Sequence, residues 1–381
     1  MKQVYLDNAA TTKMRQEVID VMAKTMSLSY GNASSTHGFG RASKTLIEAS
    51  RKKIATCLHA ASSEIIFTSG GTEANNLILI SAVKDLGVKR IITTKIEHHA
   101  VLNTVKYLGE NYPIELVFLD IDAHGNIYTN QLEEALNNQV KTLVSLMHIN
   151  NEIGNVLDLK QVANLCKQYD ALFHSDTVQS VGHYTIDLQD VGVDFLTASA
   201  HKFHGPKGVG FAYIRKNMVL KPLLHGGEQE RGLRAGTESL HNIIGMQEAL
   251  SLSCEKLNVE QSYIKNLKLY FIKALKNNIP DIEFNGNSGQ IEHSAYTILN
   301  VRLPQVKDAS GMLLFQLDLK GIACSRGSAC QSGSAKKSHV LQEFLEANSL
   351  EQPSLRFSLS VFNTKADIDY AVQELTRYVL G

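Results

Sequence analysis

The chain has 381 residues, 44% of them hydrophobic, and its 38 lysines and arginines balance 38 aspartates and glutamates. That balance argues against nucleic-acid binding and against a membrane-surface role; no apolar run is long enough to cross a bilayer, and Met1 to Asp7 lacks the apolar stretch of a signal peptide. The five cysteines, Cys57, Cys166, Cys254, Cys324 and Cys330, are widely spread with no Cys-x-x-Cys pair, so a reducing, cytoplasmic setting without disulfides or a metal site is expected.

Short apolar runs alternate with helical patterns through the middle of the chain. Strands are predicted at Glu64 to Thr68, Arg90 to Thr94, Glu115 to Leu119, Thr142 to Met147, Ala171 to Ser175, Asp194 to Ala198 and Val209 to Ile214. Helices are predicted over Glu73 to Leu86, Ala100 to Leu108 and Leu159 to Tyr169. Most of the strand candidates are rich in Val, Ile, Leu and Phe without strict alternation, as in a mostly parallel sheet covered by helices on both faces. A long helical stretch follows from near Met246 to about Asn277. Strands near Ala295 to Arg302 and Leu355 to Ser360 then predict a smaller α+β unit. The Gly- and Ser-rich run Ser325 to Ser338 predicts a surface loop.

Three segments carry candidate chemistry. Ser69-Gly70-Gly71-Thr72-Glu73-Ala74-Asn75 follows a strand and opens a helix, where free backbone N–H groups and the Thr72 hydroxyl suit an anion; an ordinary strand-to-helix turn is the plain alternative. Asp176 lies just past a predicted strand, at the sheet edge where open α/β folds place ligands, and a carboxylate there can keep a pyridine nitrogen protonated; taken alone, the segment reads better as a helix cap. Lys202 follows the small residues Ser199 and Ala200 at the end of an apolar strand, a setting in which burial frees an amine for Schiff-base chemistry; a snorkelling surface lysine is the plain alternative. Lys207, between Gly-Pro and Gly, reads as a turn lysine on the surface.

In this order, the three segments resemble the fold-type I, class V aminotransferase-like enzymes, and within them the cysteine desulfurases of the NifS/IscS kind. The resemblance extends over nearly the whole chain, through Tyr5 to Thr12, Gly31 to Ser35, Phe67 to Asn76, Glu97 to Leu102, Met147 to Gly154, Gly226 to Gly232 and Arg234 to Glu238. Ala33 stands where the family usually has Pro, and Glu228 where a third Gly is common. The resemblance implies an α/β fold: a large domain over residues 15–255 with a mostly parallel seven-stranded sheet, and a small α+β domain from residues 1–14 and 256–381. It implies pyridoxal 5'-phosphate as cofactor, held by Lys202 as a Schiff base. Thr72, Ser199 and His201, with the Gly71 backbone, are then phosphate ligands. Asp176 faces the ring nitrogen, Gln179 and Asn151 the ring hydroxyl, and His98 stacks on the ring and shuttles protons. His99 is expected to face solvent. Thr237 would reach the phosphate of a partner subunit in a homodimer, and Arg356 and Asn32 would bind the substrate.

Cys330 selects the reaction. The run Arg326-Gly327-Ser328-Ala329-Cys330-Gln331-Ser332-Gly333-Ser334 resembles the desulfurase active-site loop, and the thiolate is the nucleophilic form of a cysteine. The activity implied is conversion of L-cysteine to L-alanine: Lys202 moves the α-proton, and Cys330 takes the sulfur as a persulfide. The sulfur then passes to a protein acceptor such as an iron–sulfur scaffold. Cys324 reads as a buried strand-end residue or a second redox-active thiol, and Cys57, Cys166 and Cys254 as structural.

Overall fold

The computed structural model describes residues 2–306, 312–327 and 337–381. Twelve strands lie among them: β1 (Val4–Tyr5), β2 (Ile65–Thr68), β3 (Arg90–Thr94), β4 (Glu115–Leu119), β5 (Thr142–Ser145), β6 (Leu172–Asp176), β7 (Phe195–Ser199), β8 (Gly210–Ile214), β9 (Glu283–Phe284), β10 (Ile298–Arg302), β11 (Ile322–Ala323) and β12 (Ser354–Ser358). Seven form one sheet in the order β2-β8-β7-β6-β5-β3-β4. Within it β8 runs antiparallel to both neighbours, and the other pairings are parallel.

The run-like composition of these strands has the expected consequence. Every residue of β2, β5, β7 and β8 is buried, because helices cover both faces of the sheet. One layer joins Val18, Ile54, Val144, Phe173 and Leu250; the other joins Leu77, Val101, Val105, Leu143 and Phe195. A separate core of Leu6, Leu267, Phe271, Leu299, Phe357 and Leu375 lies behind the small sheet β12-β10-β9. The helix Leu240–Asn278 links the two, giving Leu240 to Leu250 to the first core and Ile264 to Leu275 to the other. At 1.5 Å per residue it is about 58 Å long.

The helices Gly71–Lys84, His99–Asn111 and Leu159–Gln168 lie where the periodicity places them. The two-residue strands β1, β9 and β11 were not predicted, because so short a run shows no period. β6 and β7 each extend one residue further than expected, so Asp176 and Ser199 are the last residues of their strands. Since β2, β3, β5, β6 and β7 point the same way, their carboxyl ends form one edge of the sheet. Open α/β sheets bind ligands at that edge.

Candidate active site

A cavity of about 480 Å³ opens at this edge. At one end the turn Ser69–Gly70 leads from β2 into the helix Gly71–Lys84, whose first backbone N–H groups have no partner within the helix. A Cβ on Gly71 would lie 2.5 Å from Val178 Cγ2, so only glycine lets the helix start pack here. Thr72, Ser199 and His201 line the same end. Burial lowers His201 to about 4, so its ring is neutral, and Nδ1 pairs with Thr11 Oγ1 at 3.2 Å.

Asp176 lies deeper in the cavity and is nearly inaccessible. Its Oδ1 accepts from Val178 N at 3.0 Å, so it does make a local turn bond of the kind a capping aspartate makes. Its Oδ2 accepts from Asn75 Nδ2 at 2.7 Å, and Asn75 Oδ1 accepts from the Thr197 hydroxyl at 3.0 Å. Asn75 is a site residue that motif reading named only as part of a turn. It sits one helical turn after Thr72, on the face turned toward the sheet, and that spacing was the available signal.

Lys202 follows β7 in a single helical turn, Ala200–Lys202. Its Nζ donates to the carbonyls of Ala9 at 2.6 Å and Ala10 at 2.9 Å. Gln179 Nε2 also donates to Ala9 O, at 2.9 Å. The segment Asp7 to Thr12 is therefore part of the site, tied across the cavity mouth by Thr12 Oγ1 donating to His201 O. His98 lines the opposite wall and caps the helix His99–Asn111, its Nδ1 accepting from Ala100 N at 3.1 Å. That bond leaves the proton on Nε2. Burial lowers the His98 pKa, with Lys202 acting in the same direction, so the ring is neutral near pH 7.

Asn151 and Arg356 complete the lining. Arg356, in β12, is 1% exposed. It donates to Asn151 O and to Asp7 Oδ1, both at 2.8 Å, while its Nε has no hydrogen-bond partner among the described residues. A planar guanidinium with an unused donor suits a carboxylate ligand.

Several expected residues lie elsewhere. Thr237 is outside this cavity and borders an adjoining hollow of about 140 Å³ that shares Ser69 and Gly208 with it. Asn32 is exposed and uses its side chain in a turn, accepting from Ser34 N at 2.9 Å. Cys330 lies outside the described residues. Lys207 is exposed, as expected of a turn lysine, yet stands at the cavity rim. His99 is only part-exposed: its ring packs against His339 with centroids 4.3 Å apart, which corrects the solvent-facing expectation. Cys324 directly follows β11 but is half-buried rather than buried; burial still raises its thiol pKa, which favours the strand-end reading over a reactive thiol.

The donor set fits pyridoxal phosphate: an anion cradle at a helix start, a buried carboxylate held from behind for a ring nitrogen, and a lysine at the cavity wall. The comparisons agree. A model of the family described as aminotransferase class-V matches residues 4–371. The chain is 42% identical to the cysteine desulfurase IscS of Dictyoglomus turgidum over 381 residues, covering 99% of this chain and 95% of that protein. It is also 42% identical to the putative cysteine desulfurase IscS 1 of Bacillus subtilis, covering 100% and 99%. The chain belongs to the class V aminotransferase family, in its IscS/NifS cysteine desulfurase branch. That family is one of pyridoxal-phosphate enzymes. Among solved structures, a NifS-like protein superposes with a TM-score of 0.90 at 33% identity over 100% of both chains. A protein described as SspA in complex with cysteine superposes with a TM-score of 0.81 at 31% identity, covering 95% of this chain and 100% of that one. The seven-stranded sheet of this desulfurase-family chain is thus the fold-type I sheet.

Proposed function

We propose that the chain is a cysteine desulfurase that takes L-cysteine to L-alanine and receives the sulfur on Cys330 as a persulfide. The observation that carries this reading is the convergence of Lys202, Asp176, the Gly71–Thr72 helix start and Arg356 on one cavity. The names of relatives that match the whole chain support it. When bound, pyridoxal phosphate supplies an electron sink beside the substrate Cα.

The chain's own residues do the rest. Gly71, Thr72, Ser199 and His201 hold the phosphate, and Asp176 keeps the ring nitrogen protonated while Asn75 orients its carboxylate. Asn151 and Gln179 serve the ring hydroxyl. His98, its pKa lowered by partial burial, would lie against the ring face. Lys202 anchors the cofactor and moves the α-proton, and Arg356 takes the substrate carboxylate. The Cys330 thiolate attacks the substrate sulfur. The S–S bond forms as the Cβ–S bond breaks; Cβ takes a proton, and Lys202 returns one to Cα, to give alanine.

The working unit we propose is a homodimer in which Thr237 reaches the partner's phosphate site. Two features support this: Thr237 lies outside its own chain's cavity, and the large apolar side chains of Ile19, Met26, Leu28, Tyr30 and Phe39 are each exposed, with Tyr30 stacked on Phe39. The sulfur then passes to a protein acceptor, such as an iron–sulfur scaffold, in the cytoplasm. Mass spectrometry after exposure to L-cysteine tests the core of the proposal. Cys330 should gain one sulfur as alanine appears, and C330A should release none. Full activity in C330A would overturn it.

A further inference from the structure

We infer that Glu152 is a positioning residue for persulfide formation, fastening both roots of the segment that bears Cys330; the inference rests on the desulfurase reading above. Glu152 follows Asn151 of the cavity wall and is fully buried. Its backbone is fixed at both ends: its N–H donates to Asn150 Oδ1 at 2.9 Å, and its carbonyl accepts from Asn300 Nδ2 at 2.9 Å.

The carboxylate meets the chain on both sides of residues 328–336. On the far side, Oε2 accepts from the Ser338 hydroxyl, which itself accepts from Leu341 N at 3.1 Å. Oε1 lies 3.9 Å from His339 Nδ1, and neither atom has a hydrogen-bond partner among the described residues. The other ring nitrogen of His339 donates to Glu97 O at 2.9 Å, beside His98. On the near side, a Cβ on Gly327 would stand 3.2 Å from Glu152 Oε2 and 3.5 Å from Ser338 Cβ, so the Gly327 backbone packs directly on this carboxylate.

A buried carboxylate is expensive to keep unless it fixes something. Here it holds Gly327 and Ser338 together beside the cavity wall. Cys330 is three residues past Gly327 in the chain. Loosening the anchor leaves the binding residues intact and costs the thiolate its reach to the substrate sulfur.

The test uses holoenzyme of the unsubstituted chain, E152Q and H339A. Substrate binding is read from the cofactor absorbance change on adding L-cysteine, and sulfur transfer from single-turnover mass spectrometry of Cys330. Both variants should bind cofactor and half-saturate at the unsubstituted L-cysteine concentration, while persulfide forms at least about tenfold more slowly. Persulfide rates within twofold of the unsubstituted chain in both variants would overturn the inference, as would a parallel loss of binding. Should E152Q not fold, H339A decides alone. Absence of sulfur on Cys330 of the unsubstituted chain would instead overturn the desulfurase reading itself.

Discussion

Asn75 joins Asp176 to Thr197: its amide donates to the Asp176 carboxylate at 2.7 Å and accepts the Thr197 hydroxyl at 3.0 Å. The carboxylate at the cavity wall is thereby held by a helix and a neighbouring strand at once. A hydrogen bond to a charged group contributes about 1.5–3 kcal/mol. Asn75→Ala should therefore weaken pyridoxal-phosphate affinity by about tenfold or more, with Asp176→Ala weaker still. Titration of the apoprotein with cofactor, followed by absorbance, measures both.

Gly71 gives a steric test of the anion cradle. A methyl group there meets Val178 Cγ2 at 2.5 Å, and the β-branched Val178 has little rotamer freedom to yield. Gly71→Ala should displace Val178, spread the helix start and lower cofactor affinity. The double variant with Val178→Ala should recover much of the loss. Equal affinity for all three proteins would show that the helix start does not hold the phosphate.

Arg356 already spends two donors on Asn151 O and Asp7 Oδ1 and keeps Nε unused. A lysine cannot reproduce that fork. Arg356→Lys should raise KM for L-cysteine by about tenfold or more, with a smaller change in kcat, in steady-state assays of alanine release.

Acid should destabilise the fold through its buried histidines. Burial lowers His174 to about 3 and His204 to about 3, against an ordinary value near 6.5. Between those values the unfolded chain binds more protons than the folded one. Stability therefore falls as pH falls through that window, by up to about 1.4 kcal/mol per pH unit for each ring, and these rings add no slope above about pH 7.5. Urea midpoints measured from about pH 7.5 down to about pH 5 should decline, and more gently in His174→Gln.

Much of this was legible before any coordinates. The runs Asp194 to Ala198 and Val209 to Ile214 read as fully buried strands, and the strands Phe195–Ser199 and Gly210–Ile214 are buried throughout because helices cover both faces of their sheet. The Gly-Gly-Thr turn, Asp176 and Lys202 stood out because each sits at the end of such a strand. The two-residue strands escaped because they are shorter than any period, and His99 because its exposure depends on His339, 240 residues later in the chain.

By itself, then, the sequence determined the strands of the large sheet to within a residue or two and three of the helices between them. Local pattern suffices for that, since periodicity and turn chemistry act over a few residues. Only the tertiary structure decided which of their ends meet. Asp7 pairs with Arg356 across 349 positions, Lys202 finds the Ala9 carbonyl across 193, and Glu152 reaches Ser338 across 186. Sheet order and the packing of the two cores bring such groups together, and hydrogen bonds between residues so far apart in the chain have no signature in a neighbourhood of sequence.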